Sequence, residues 1–137
     1  IVSNGKIEEH VTFCGFCDGE ELDHLYDISD IGVASLGIHR IGIYGSMSVL
    51  KCREYGAKGM PMMTSNEIDF FPSSENDFIL TVSEDDTDID IQEVISFYDK
   101  MNDEDHKEQA SKIRSITKAK CDMSVTMKPV INKFLQD

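Results

Sequence analysis

The chain has 137 residues, 40% hydrophobic and 28% charged, the composition of one soluble globular domain that buries roughly two-thirds of its unfolded surface. No apolar run approaches the roughly 20 residues of a membrane span. A formal net charge of −13 opposes non-specific nucleic-acid binding, which needs Lys and Arg on phosphates, so a phosphate ligand has to be held by a local cluster of basic groups and backbone N–H donors.

The polar opening from Ser3 to Glu9 predicts no signal peptide and hence a cytoplasmic protein with reduced thiols. The missing initiator Met and an opening that runs straight into a strand-like segment predict that these residues belong to a longer protein. His10 to Cys14 reads as a short strand ending at Gly15, where the backbone can turn. Asp18 with Glu21 three residues on forms a capping-box pattern, and Leu22, Leu25 and Tyr26 follow at helical spacing. Cys14 and Cys17 have the spacing of a redox or zinc half-site, but His10 and His24 follow no zinc-ligand pattern. The two thiols are therefore read as filling space at the strand end.

Ile31-Gly32-Val33-Ala34-Ser35 is the short, partly β-branched run of a buried parallel strand. A loop containing Gly37, Gly42 and Gly45 follows, then a helix from Met47 or Ser48 to Ala57, with Gly59 as its C-terminal cap and Pro61 beyond. Met60 to Thr64 and Phe78 to Val82 read as further strands. Asp88 or Asp90 caps a helix bearing Ile91, Val94, Ile95 and Tyr98. A second helix runs from about Glu104 to Lys120, with Ala110, Ile113, Ile116 and Thr117 as its buried stripe. A third runs from about Thr126 to Leu135 with Pro129 in its first turn. The acidic runs Glu67 to Asp90 and Asp99 to Glu108 read as solvated surface. Ser83 to Asp90 lacks the ligand order of an EF-hand and reads as a solvated turn.

Strands alternating with helices predict an α/β fold, a Rossmann-like parallel sheet flanked on both faces by helices, with a helical C-terminal tail. Ligands of such sheets bind beyond the carboxyl ends of the strands, an edge that carries Ser35 to Ser48 and Ser65 to Asp69. There, Gly37, His39 and Arg40 lie in a loop of small residues before a helix whose first turns hold Ser46, Ser48 and Lys51. A helix N-terminus, a close-approach backbone and basic side chains together suit a diphosphate. The same residues also fit an exposed loop and an ordinary surface helix. Glu54, one turn past Lys51, either pairs with Lys51 or Lys58 on the helix surface or accepts hydrogen bonds from a ribose diol; composition leaves both readings open.

Phe13-Cys14-Gly15-Phe16, the run from Glu21 through Ser35-Leu36-Gly37, the His39-Arg40 pair and Leu50-Lys51-Cys52-Arg53-Glu54-Tyr55 together resemble the C-terminal, donor-binding domain of GT-B glycosyltransferases. The resemblance is to a bacterial branch of surface-polysaccharide synthesis and spans most of Val11 to Ser65. It implies a nucleoside-diphosphate sugar as donor, bound by Gly37, His39, Arg40, Ser46, Ser48, Lys51 and Glu54, and transfer to a glycan or lipid-linked acceptor held by a second domain. It also implies no obligatory metal, peripheral membrane association of the longer protein, and no turnover from these residues alone. In retaining families two glutamates separated by seven residues mark the donor site. Glu54 matches the second, near the ribose, and the first, near the sugar, falls on Ser46. That substitution motivates an alternative, a catalytically silent binding or interaction module of the same fold. A phosphoacceptor receiver also fits the α/β pattern, but its acidic pair after the first strand and its late Lys do not occur at clear strand ends.

Overall fold

The computed structural model describes residues 8–103 and 105–135. Most of the polar opening, residues 3–7, and the predicted helix start at Glu104 lie outside the described residues. Three short strands, β1 (Gly32–Val33), β2 (Met62–Thr64) and β3 (Ile79–Thr81), form a parallel sheet in the order β1-β2-β3. Gly32 is in register with Met62, and Met62 with Ile79. The ladder continues past the strand ends through Ala34 N–H to the Met63 carbonyl and Val82 N–H to the Thr64 carbonyl, both 2.9 Å. β2 is buried along its whole length, as expected of a central strand covered on both sides.

Helices α1 (Gly19–Asp27) and α2 (Leu50–Lys58) flank β1 in the chain. α3 (Ile91–Asn102), α4 (His106–Cys121), α5 (Met123–Thr126) and α6 (Lys128–Phe134) follow the last strand. α2 lies against β1 through Tyr55, whose ring sits where a Cβ on Gly32 would be, 2.6 Å away, and whose hydroxyl donates to the Val33 carbonyl at 3.0 Å. α4 lies along α2: Thr117 occupies the space over Gly56, and the Ala110 backbone crowds Gly59. Arg114 ties the two by donating to the Lys58 carbonyl at 2.7 Å. Phe97, Met101 and Ile113 join Met62, Phe78 and Leu80 in one buried cluster, so the helices after the sheet complete its core.

Several expectations need correction. His10 to Cys14 is not a strand; a 3-10 turn spans Glu8–His10 and an irregular segment follows. A strand needs a neighbour for its backbone groups, and no described strand pairs with this segment. The capping box does not close, because the Asp18 side chain makes no cap hydrogen bond, although Leu22, Leu25 and Tyr26 do form the half-buried stripe. α2 begins at Leu50 rather than at Met47 or Ser48. No α-helix joins β2 to β3; the link contains only the 3-10 turn Ser73–Glu75. The tail helix begins earlier, at Met123, and is interrupted at Met127 ahead of Pro129.

Candidate functional site

The loops leaving the carboxyl ends of the three strands meet, and their contacts define the site. Ser65, just past β2, places its hydroxyl 3.3 Å from the carbonyls of both Ser35 and Leu36, fixing the start of the loop after β1. That loop then makes a 3-10 turn at Ile38–Ile41 and returns through Gly42 and Gly45, both left-handed. At Gly45, φ is +82°, a conformation that L side chains resist, and it presents the N–H to a carboxylate. Glu84 accepts this N–H at 3.0 and 3.2 Å with its two oxygens. It also accepts the side-chain amide of Asn66, a residue only 2% exposed.

Two residues on, Asp86 accepts Arg40 Nε at 2.7 Å and His39 Nε2 at 3.0 Å. His39 is 10% exposed at its side chain, and its Nδ1 is buried with no hydrogen-bond partner. Donation from Nε2 leaves Nδ1 as a bare lone pair in the neutral tautomer, which is cheaper to bury than an unpaired N–H. Gly37, His39 and Arg40 line a cavity of about 550 Å³ with Val82, Asp86 and Ile91 among its other walls. These predicted residues come together.

The remaining predicted residues stand apart from that cavity. Ser46 is exposed. The Ser48 hydroxyl accepts Arg53 Nη2 at 2.8 Å, and the Arg53 guanidinium lies 4.4 Å over the Phe70 ring, a cation–π contact. Lys51 is exposed on the first turn of α2, whose N-cap residue, Val49, makes no side-chain cap; the amide end of that helix is thus left to an external acceptor. Glu54 faces α1 and accepts the Tyr26 hydroxyl at 2.9 Å. Lys58 pairs with Asp23 at 2.9 Å and Asp27 at 3.6 Å instead of with Glu54.

Three side chains that make these contacts, Arg53, Glu84 and Asp86, are not among the residues the sequence points to. Arg53 belongs to the Leu50 to Tyr55 motif but received no role, and its signal is its place one residue before Glu54. Glu84 and Asp86 were absorbed into a solvated turn. Asp86 is indeed 69% exposed at its side chain, yet both carboxylates are engaged across more than forty or nearly forty residues of sequence. Asp85, between them, lines the same cavity and accepts the Thr87 N–H at 2.8 Å.

Hydrogen bonds from His39 and then Arg40, reinforced by the Arg40 charge, hold the Asp86 carboxyl below the ordinary aspartate value of 3.8. A carboxylate with a depressed folded-state pKa contributes its anchoring above the unfolded value and loses it as pH falls through the folded one. A carboxyl-detected NMR titration is expected to place the Asp86 midpoint below 3.8, with the Arg40 Nε–H signal lost over the same acid range. A midpoint at or above the ordinary value would rule out the contact in solution.

At the cysteines, the expectation of space-filling is corrected: Cys14 is exposed, and Cys17 is half-buried just ahead of α1. Desolvation raises the Cys17 thiol, and Cys14, Glu21 and Asp18 push it further in the same direction, opposite to what an activated thiol requires. Cys52 is the space-filling thiol, fully buried under α2 and pushed up to about 11 by that burial against the opposing charge of Lys51. Among the described residues no group of three or more His, Cys, Asp or Glu is arranged to hold a metal ion, and no helix is long and apolar enough to cross a membrane. Compared with known proteins, the chain matches no family model, no curated protein and no solved structure.

Proposed function

We propose that this chain is the nucleotide-sugar-binding domain of a GT-B glycosyltransferase, which holds the diphosphate of a nucleoside-diphosphate sugar against the loop between β1 and α2. One observation carries the reading: Gly45 N–H, His39 and Arg40 converge at the carboxyl edge of a parallel sheet and already hold carboxylate oxygens there. Donors that satisfy a carboxylate satisfy a phosphate by the same chemistry. The N-terminus of α2, with Lys51 on its first turn, stands apart from those donors and supplies a separate partial positive charge.

In this reading the basic side chains and loop amides stabilise the negative charge that develops on the departing diphosphate, so the chemistry requires no obligatory metal. Glu54, freed from Tyr26, accepts the ribose hydroxyls. The acceptor, a glycan or lipid-linked glycan, is supplied from a second domain on the cytoplasmic side of the membrane, with which the whole enzyme associates peripherally. Ser46, exposed where the retaining families carry a glutamate, favours the alternative of a silent nucleotide-binding module with the same fold.

Calorimetric titration with a panel of nucleoside diphosphates tests the reading. Arg40→Ala is expected to weaken binding about tenfold, the loss of one charge-assisted contact worth about 1.5–3 kcal/mol partly offset by solvent at an exposed site. Glu54→Ala is expected to weaken nucleoside diphosphates and leave inorganic pyrophosphate unchanged. Absence of binding by every nucleoside diphosphate at millimolar concentration would sink the proposal. Binding without sugar transfer by the two-domain protein would select the silent module.

A further inference from the structure

Four donors of the site, Gly45 N–H, the Asn66 amide, His39 and Arg40, are satisfied from a single strap of chain, the segment that leaves β3. Glu84 takes the Gly45 N–H with both oxygens and the buried Asn66 amide, and Asp86 takes His39 and Arg40. Asp85 lines the same cavity as Asp86 but spends an oxygen on the Thr87 N–H and bonds to none of these donors. The two carboxylates facing the loop therefore stand where anionic oxygens of a ligand would stand. Two of their partners are not spare surface groups, His39 being nine-tenths buried at its side chain and Asn66 2% exposed; Gly45 holds a left-handed backbone conformation that aims its amide, and Arg40 is the exposed member at 70%.

We infer that Glu84 and Asp86 are an internal substitute for the ligand's phosphates, an autoinhibitory strap that keeps the loop shaped for an anion and has to be displaced when one binds. The inference rests on the donor-domain reading and adds a regulatory element to it. An incoming diphosphate and the two carboxylates claim the same donors, and like charges cannot share them without strong repulsion. The ligand therefore binds only as the strap withdraws. The cavity between residues 36–40 and 82–91 gives the strap a wall along which to separate from the loop. In return, the free protein keeps its donors paired and its loop ordered, so that less ordering is required at the moment of binding. The strap should discriminate by charge: it opposes phosphates and has no effect on an uncharged nucleoside.

The test uses the chain with UDP, inorganic pyrophosphate and uridine as probes, on the wild type and on the isosteric variants Asp86→Asn and Glu84→Gln/Asp86→Asn. Each amide keeps one oxygen, which can accept the two donors that Asp86 Oδ1 receives and the Gly45 and Asn66 donors that Glu84 Oε1 receives; only the second, 3.2 Å contact of Gly45 N–H is lost, so the loop retains its shape while its internal anion is removed. Asp86→Asn alone changes an exposed residue and serves if the double variant unfolds. UDP and pyrophosphate are expected to bind the double variant about tenfold more tightly, uridine is expected to bind both proteins alike, and the Gly45 amide resonance is expected to shift on UDP addition to the wild type. Equal or weaker UDP affinity in the variants, with Arg40→Ala still weakening UDP, would overturn the strap and leave the donor-domain reading standing. No UDP or pyrophosphate binding to any of these proteins would end both.

Discussion

Phe71→Ala is expected to destabilise the protein by about 3–5 kcal/mol. Phe71 has no exposed surface and forms edge-to-face contacts with Phe70 at 4.6 Å and Phe78 at 5.7 Å between ring centroids. The three rings join the irregular link between β2 and β3 to the first residue before β3. Truncation removes both the transfer free energy of the ring and the packing around it, because a link already tied by the Met47–Ile68 and Ile68–Phe71 bridges has little freedom to collapse into the void. Urea unfolding followed by circular dichroism measures the loss. Phe16→Ala is the control: Phe16 is 89% exposed and its truncation is expected to change stability by less than about 0.5 kcal/mol. Equal effects for the two would mean that the ring cluster is not the core of this domain.

Gly59→Ala comes second, at about 3 kcal/mol. Two independent penalties add here. Gly59 caps α2 at φ +77°, and an L residue in that region is strained by about 1–2 kcal/mol. An added Cβ would also lie 2.6 Å from the Ala110 carbonyl oxygen, a backbone atom that cannot swing aside, so α4 has to shift, at about 1–3 kcal/mol for overpacking. The midpoint of urea denaturation is expected to fall by about 1–3 M, given slopes of about 1–3 kcal/mol/M. A fall of less than about 0.3 M would place α4 away from the end of α2. Because a domain of this size has only about 5–15 kcal/mol of stability, either substitution removes a large share of it.

The helices were legible because their signals are local. Asp90, one of the two caps expected for α3, accepts the Gln92 N–H, whereas Asp105, which accepts the Lys107 and Glu108 N–H groups at the start of α4, is a cap that the sequence reading does not name. Ile113 and Thr117 are buried on the stripe that their spacing predicted, and Gly59 ends α2 where its position before Pro61 said it should. Strands were less legible, since a strand exists only where a neighbour completes its ladder. Val11 and Phe13 resemble strand residues as strongly as Ile31 and Val33 do, but only the second pair adjoins β2.

The site divides along the same line. His39, Arg40 and Gly37 could be grouped from sequence because they are close neighbours in one loop. Their partners, Glu84 and Asp86, could not, since nothing in a run of carboxylates tells which two are bound and which face water. Parity is the signal that could have helped: alternate residues of a segment leaving a strand project to one side, and Glu84 and Asp86 are two apart. Glu54 was assigned to the ligand by motif alone, and its contact with Tyr26 depends on where α1 docks, which no local pattern specifies.

The seating of Gly56 and Gly59 beneath α4 also sets the order in which the protein can be made. Synthesis runs from the N-terminus at about 5–20 residues per second, so the roughly 30 residues between the end of β3 and Ile113 take roughly 2–6 s to appear. During that interval the nascent chain carries the three described strands while Phe97, then Met101 and last Ile113, the side chains that close the buried cluster, are still being added. The newborn protein is then stickiest just after its last strand emerges, and a chaperone that shields apolar surface would matter most during those seconds.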